Sequence, residues 1–242
     1  WLLVMALERR SLIGVGGCGV ALGLATLARG VSLFLPLVLG IVLLRAWGLR
    51  RGLQAWGALL AMTAITRAPW TMRNWCAVHA FVPVATQTGT VLYGSYLPPE
   101  GKHFGMAARD ETVAYAAANL SEVEESRFLV GKTFAYVRSH PGTVLRLSVQ
   151  KLGFFLVPFD WELFGVGGGI WNATYVFILP FAAVGMWLSR RYHGATIALW
   201  VVTTYFLAVS LLLYGSPRFR LPIEPCLLMW AGLGLARLAQ EW

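Results

Sequence analysis

The chain has 242 residues, of which 57% are hydrophobic and 13% charged, with a formal net charge of +9 and a mean hydropathy of +0.64. A soluble globular domain carries about 45–50% apolar and about 25% charged residues, so this composition excludes an ordinary water-soluble domain and points to lipid as part of the solvent. Cys18, Cys76 and Cys226 are odd in number and lack CxxC or CxxH spacing, which argues against a disulfide framework and against a zinc site.

The opening WLLVMALERR has no initiator Met and an apolar stretch too short for a signal sequence. It reads as the tail of a membrane helix, and the chain as a C-terminal fragment of a longer protein. A bilayer-spanning helix needs roughly 20 mostly apolar residues. Six stretches approach this: 11–28, 31–47, 53–69, 168–188, 195–214 and 221–238. The first two are separated only by Arg29 and Gly30, which makes them either a tight hairpin or less regular than the count implies. Their alternation puts Arg9, Arg10, Arg45, Arg50, Arg51, Arg190, Arg191 and Arg237 on one side, which the positive-inside rule makes cytoplasmic.

The other side receives residues 70–167, whose eight basic and eight acidic residues cancel. The excess positive charge therefore belongs to the membrane part and encodes topology, so nucleic acid drops out as a partner. Trp70, Trp75, Trp161 and Trp171 flank external span ends, and Trp47, Trp56 and Trp187 internal ones, as an aromatic belt would. The expected fold is mainly α and polytopic. It has transmembrane helices in 1–69, an external, mostly helical segment over 70–167 and C-terminal transmembrane helices in 168–242.

Within the external segment, residues 70–108 are rich in Gly, Pro, Thr and aromatics and predict irregular or short-strand structure. A short helix is expected over 110–119. Ser121 with Glu124 forms a capping-box pattern. Acidic residues at 122, 124 and 125 and a basic end at Arg138 and His140 complement a helix dipole up to Pro141. A further helix over 142–156 places Leu145, Val149, Leu152 and Leu156 on one stripe. Such a helix suits the membrane surface, although its periodicity is equally compatible with packing on the segment's own core.

No Walker loop, HExxH, GxSxG or strand-borne GxGxxG occurs, and His79, His103, His140 and His193 are too scattered to build a metal site. Two clusters remain: Arg67-Ala-Pro-Trp-Thr-Met-Arg-Asn-Trp75, and Tyr214-Gly-Ser-Pro-Arg-Phe-Arg-Leu-Pro-Ile-Glu-Pro225. On the topology above both reach the external interface. There Arg67, Arg73, Arg218 and Arg220 offer guanidinium forks that match two phosphate oxygens at once. Glu224, just inside a span, is costly in lipid unless paired, and an Arg of the same cluster is its natural partner. Snorkelling of these arginines to anionic headgroups is the plainer reading of each one taken singly.

These clusters also carry a resemblance. PWTMRNW (69–75), FVPVAT (81–86) with Gly89, Leu92 and Gly94, the Ser121–Glu122…Arg127 pattern, SHPG (139–142) with Lys151, and SPRFRLPIEP (216–225) occur in order. Together with GLATLARGVSLFLPL (23–37), where Gly30 replaces a usual Pro, they resemble the C-terminal half of a GT-C superfamily membrane glycosyltransferase. The type is the bacterial family 39/83, related to dolichyl-phosphate-mannose–protein mannosyltransferases and to lipid A aminoarabinose transferases.

The resemblance implies an enzyme of the bacterial inner membrane that transfers a sugar from a polyprenyl-phosphate donor to a glycan, lipid or protein acceptor on the external face. Transfer needs a carboxylate base and positive charge on the departing phosphate. In the family the base lies in an early external loop, so no catalytic residue is named, and this polypeptide is expected to be inactive alone. Arg73, Arg218 and Arg220 are the expected donor-phosphate ligands, with Glu224, Asn74 and Tyr214 in support. No cofactor is assigned, and a divalent metal requirement stays open. The alternatives are a transporter or flippase for a lipid-linked substrate, an O-antigen-ligase-like transferase and a non-catalytic membrane scaffold.

Overall fold

The computed structural model describes residues 2–96, 111–156, 173–189, 193–213 and 222–240. Among these, every regular element is helical: α1 (Leu2–Glu8), α2 (Leu12–Ala28), a 3-10 turn (Gly30–Ser32), α3 (Leu35–Trp47), α4 (Leu49–Val78), α5 (Thr88–Tyr96), α6 (Glu111–Asn119), α7 (Glu122–Ser139), α8 (Pro141–Leu156), α9 (Ala173–Ser189), α10 (His193–Leu212) and α11 (Glu224–Gln240). They form two compact units. One holds residues 1–85 and 192–205, the other 86–191 and 206–242. The mainly α expectation therefore holds. Among the described residues one stretch, Gly30–Trp47, is long and apolar enough to cross a membrane by length and composition, and shorter apolar helices lie at Leu12–Ala28, Tyr175–Ser189 and Thr196–Leu212.

In the first unit α4 is central, with α2 and α3 both packed against it. Ser11 caps α2 by accepting a hydrogen bond from the Gly14 N–H (3.1 Å), as Ser does at a helix start. A Cβ on Gly19 would stand 2.7 Å from the Leu59 carbonyl. The absence of side-chain bulk there is what lets α2 reach the α4 backbone, and the Thr63 hydroxyl completes the crossing with a 3.1 Å hydrogen bond to the Gly19 carbonyl. Of the two readings weighed for 11–28 and 31–47, the less regular one holds. Arg29 is extended, the 3-10 turn follows, and α3 begins only at Leu35 with Pro36 in its first turn. The Tyr205 hydroxyl fixes this join by donating to the Val31 carbonyl (2.7 Å) and accepting from the Phe34 N–H (3.2 Å). Gly48, at φ +78°, is the single residue joining α3 to α4, a left-handed conformation that favours glycine.

Two tryptophans assigned to the aromatic belt do other work. Trp47 is only 7% exposed, and half-buried Trp56 donates its indole N–H to the Pro36 carbonyl at 3.2 Å while its ring covers Gly40. Trp56 thus ties α4 to α3, and Trp47 is covered by the fold with the Arg51 guanidinium 5.7 Å from its ring centre. Trp70, Trp75 and Trp187 are exposed, as an interfacial anchor is. Trp161 and Trp171 lie outside the described residues.

In the second unit α5 packs on α7, α6 and α8 also meet α7, and α9 packs on α11. The α6 and α7 expectations hold. The Glu124 carboxylate accepts from the Ser121 N–H (3.1 Å) and hydroxyl (2.6 Å), and these bonds hold it below the usual carboxylate range. Of residues 70–108, 79–87 are irregular as expected, 70–78 and 88–96 are the main correction, and 97–108 lie outside the described residues. The span predicted for 53–69 is part of a 30-residue helix that continues through Pro69 to Val78, and residues 88–96 form α5 rather than strand or loop. Proline removes one helical hydrogen bond. Around it the Thr66 and Thr71 hydroxyls and the Arg67 Nε–H bond back to the carbonyls of Met62, Arg67 and Thr63, at 2.8, 3.2 and 3.2 Å.

Of the stripe expected on α8, Leu145 is 68% and Val149 64% exposed and Leu152 is half-buried, the Leu156 side chain lying outside what is described, while Leu147 and Lys151 turn inward. Of the two readings weighed for this helix, packing of the whole stripe on the external segment's own core is the one the burial removes.

Candidate functional site

The PWTMRNW and FVPVAT motifs fold onto one another. His79 ends α4 in the left-handed conformation (φ +48°), its N–H bonding the Trp75 carbonyl at 2.9 Å. A left-handed residue at a helix end reverses the chain, and Phe81–Ala85 returns alongside the last turns of α4. The Trp70 indole then donates to the Val84 carbonyl (2.9 Å), and the Thr71 hydroxyl lies 3.2 Å from the Pro83 carbonyl. Asn74, only 7% exposed, spends one amide proton on the Val82 carbonyl (3.1 Å) and the other on that of Val84 (3.3 Å). A buried primary amide that satisfies two loop carbonyls at once fixes the loop's path.

Arg73 projects from this folded unit. Its guanidinium lies 5.1 Å from the centre of the Trp70 ring and donates to the Asn74 side-chain carbonyl at 3.2 Å. Its side chain is exposed, and among the described residues no carboxylate pairs with it. A guanidinium held by an aromatic face and one hydrogen bond keeps further N–H donors available for an anion. Arg67 does not join it. Six positions along an α-helix is about two-thirds of a turn in azimuth, and Arg67 turns back to the Thr63 carbonyl. Asn74 is thus a bridge between helix, loop and Arg73, a role its residue type allows but its spacing does not announce.

The second cluster belongs to the other unit. Tyr214, Arg218 and Arg220 lie outside the described residues. Glu224 opens α11, where a carboxylate is favoured by the helix dipole. The second unit also joins two parts of the resemblance. Thr86 donates to the Glu122 carboxylate (3.2 Å), and the Gly89 N–H donates to the Ser126 hydroxyl (3.1 Å), so α5 is fastened to the first turns of α7. A Cβ on Gly89 would stand 2.6 Å from the Ser126 Cα, so only glycine allows this approach.

One group escaped the sequence reading as a site. Lys151, matched only as part of the resemblance, is 4% exposed. Its ammonium has no hydrogen-bonding partner among the described residues and sits 4.0 Å from the centre of the Tyr96 ring. Burial lowers its pKa to about 8 and pushes the Tyr96 phenol up. Its signal was a cation four residues after Leu147, on the same side of α8 as that buried leucine. Among the described residues no three His, Cys, Asp or Glu side chains come together as a metal-binding group, and Cys18, Cys76 and Cys226 form no disulfide. No family model, no curated protein and no solved structure matches this chain.

Proposed function

We propose that the chain is part of an integral membrane glycosyltransferase of the GT-C kind. It would transfer a sugar from a polyprenyl-phosphate donor to an acceptor on the external face of a bacterial inner membrane. The observation that carries this reading is the mutual folding of PWTMRNW and FVPVAT. Two separate parts of the resemblance make one hydrogen-bonded unit, and its product is an exposed arginine with donors to spare. Arg73 holds a phosphate oxygen of the donor. On the resemblance alone, Arg218 and Arg220 are proposed as further donor-phosphate ligands, with Glu224, Asn74 and Tyr214 in support.

Positive charge at the leaving phosphate stabilises the transition state, where negative charge accumulates. The acceptor base is assigned to no residue here. About six membrane helices, with residues 70–167 external, complete the reading. The outward Leu145 and Val149 of α8 suit a helix lying on the lipid surface, and the polar end of the first cluster suits the headgroup layer.

The test is sugar transfer from a labelled polyprenyl-phosphate donor by the full-length protein carrying Arg73→Ala, Arg218→Ala or Arg220→Ala. Loss of one phosphate-stabilising donor is expected to slow transfer by about a hundredfold, with folding unchanged because Arg73 is exposed. Undiminished transfer in all three variants refutes the assignment.

A further inference from the structure

Residues 70–167 balance in charge, but the balance is not local. From Ser126 to Leu156 there is no acidic residue, while Arg127, Lys132, Arg138, Arg146 and Lys151 all fall there. The described acidic residues of this region, Glu111, Glu122, Glu124 and Glu125, lie on α6 and in the first turn of α7. Arg127 acts on Glu124 from the next turn. The other four cations make no ion pair among the described residues. From Glu125 to Arg138 along α7 is about 20 Å at 1.5 Å per residue. That is more than twice the Debye length of about 8 Å at physiological ionic strength, so the acidic turn does not neutralise the far end of the helix.

The outward side of α8 continues this positive end. At about 100° per residue, Gly142, Leu145, Arg146, Val149 and Gly153 share one arc of about 100°, and all five are exposed. Leu147 and Lys151 are buried on the opposite side. A Cβ at Gly142 or Gly153 would meet nothing within 4 Å, so no described residue covers either end of the arc. Arg138, also exposed, stands in the last turn of α7, just before Pro141 opens α8.

An exposed arc that mixes apolar side chains with guanidinium groups fits one kind of surface. A soluble anion would meet Arg138 and Arg146 but leave Leu145 and Val149 in water. A neutral bilayer would take the leucine and the valine and gain little from the arginines. A bilayer with anionic headgroups takes both. The apolar side chains enter the boundary between headgroups and acyl chains, and each Lys or Arg near the negative surface strengthens binding by about fivefold.

That α8 lies on lipid belongs to the reading above; its charges specify the kind of lipid. We propose that the end of α7 and the outward face of α8 dock on anionic phospholipid, with Arg138 and Arg146 at the headgroup phosphates and Leu145 and Val149 beneath them. This docking rests on the membrane part of that reading and is independent of the glycosyl transfer.

The test is the emission of an environment-sensitive NBD label on the full-length protein, reconstituted into vesicles of phosphatidylcholine alone or of phosphatidylcholine mixed with phosphatidylglycerol. With the native cysteines replaced by Ala, the label is placed through Leu145→Cys, Val149→Cys or, as a reference on the exposed side of α6, Ala117→Cys. The ratio of lipid-docked to water-exposed label at 145 and 149 should be about tenfold or more higher in the anionic vesicles, the scale of two arginines at a negative surface. The label at 117 should not change. Salt at about 1 M, where the Debye length is about 3 Å, should remove most of the difference. The paired substitution Arg138→Gln and Arg146→Gln should remove it too. Both side chains are exposed, so the thermal melt should stay that of the wild type.

Labels at 145 and 149 that dock equally in the two lipids, or stay in water in both, overturn the proposal. A lipid preference that survives the paired substitution in a folded protein does so as well. Protection of these labels by soluble polyglutamate on phosphatidylcholine vesicles, equal to that by phosphatidylglycerol, would make the partner a soluble polyanion and also overturns it. Extraction by alkaline carbonate decides the membrane reading separately. A protein that resists extraction while α8 stays in water refutes this face alone, and a protein that carbonate extracts refutes the membrane reading whatever the labels report. Docking that persists while Arg73→Ala leaves transfer undiminished counts against the donor assignment and leaves this face standing.

Discussion

Replacing Lys151 by Met should stabilise the ligand-free protein, and the gain should depend on pH in a definite direction. Methionine keeps the length and flexibility of the side chain and removes the charge. In the unfolded chain Lys151 titrates at its ordinary 10.5, and in the fold burial lowers this to about 8. Below pH 8 both states hold the proton, and the fold bears the whole cost of the buried charge. At about 1.4 kcal/mol per tenfold change in proton affinity, that cost reaches about 3 kcal/mol. Between pH 8 and 10.5 the unfolded state binds more protons than the folded one, so wild-type stability rises with pH; above 10.5 the penalty is gone. Denaturation of both proteins in the same micelles at pH 7, 9 and 11 measures it. The Met variant should lead by about 2–3 kcal/mol at pH 7 and converge on the wild type at pH 11. A Met variant less stable than wild type at pH 7, or a lead that does not change with pH, would refute the claim that the ammonium is buried without compensation.

Three further substitutions probe the site's scaffold. Asn74→Ala leaves the Val82 carbonyl without its side-chain donor and that of Val84 with the Trp70 indole alone, and should cost about 1–3 kcal/mol; it should also open residues 79–86 to limited proteolysis, and an unchanged cleavage pattern would contradict the bridging role. His79→Gly relieves a left-handed conformation at an exposed position and should raise stability by about 1 kcal/mol, read as a higher denaturation midpoint. Gly89→Ala pushes a methyl group into the Ser126 backbone and should cost about 1–3 kcal/mol; amide exchange should quicken in α5 and the first turns of α7 and stay unchanged in α2.

What the sequence made legible divides along physical lines. The Ser121–Glu124 pair and the charge order of 122–138 placed α7 well, because capping and dipole effects act within one helix and are written in adjacent residues. The α4 extension was hidden because Pro69 is read as a helix breaker and residues 70–108 taken together are rich in Gly, Pro and Thr. In the fold, the Thr66 and Thr71 hydroxyls bond back to the Met62 and Arg67 carbonyls on either side of Pro69, and the returning loop rewards continuation to Val78. Trp47 and Trp56 looked like interfacial anchors because composition does not reveal that α3 and α4 meet through one glycine. At the site, the pattern singled out Arg73 but left the work of Asn74 invisible, since its partners lie eight and ten residues ahead across a chain reversal. Lys151 escaped as a site because its meaning lies in what surrounds it: a ring on α5, more than fifty residues earlier.

The 30 residues of α4 set a length scale. From Arg51 to Arg73 is 22 positions along one helix, or about 33 Å at 1.5 Å per residue, close to the roughly 30 Å of a bilayer's hydrocarbon core. On the membrane reading proposed above, the helix acts as a ruler. With Arg51 at one boundary, Arg73 arrives at the other without tilt, and Arg67, about 9 Å short of it, is left below the headgroups. That position accounts for Arg67 turning back to the Thr63 carbonyl: it solvates itself on its own helix where water is absent. One rigid element would then fix both the depth of the protein and the height at which its exposed guanidinium meets a lipid phosphate.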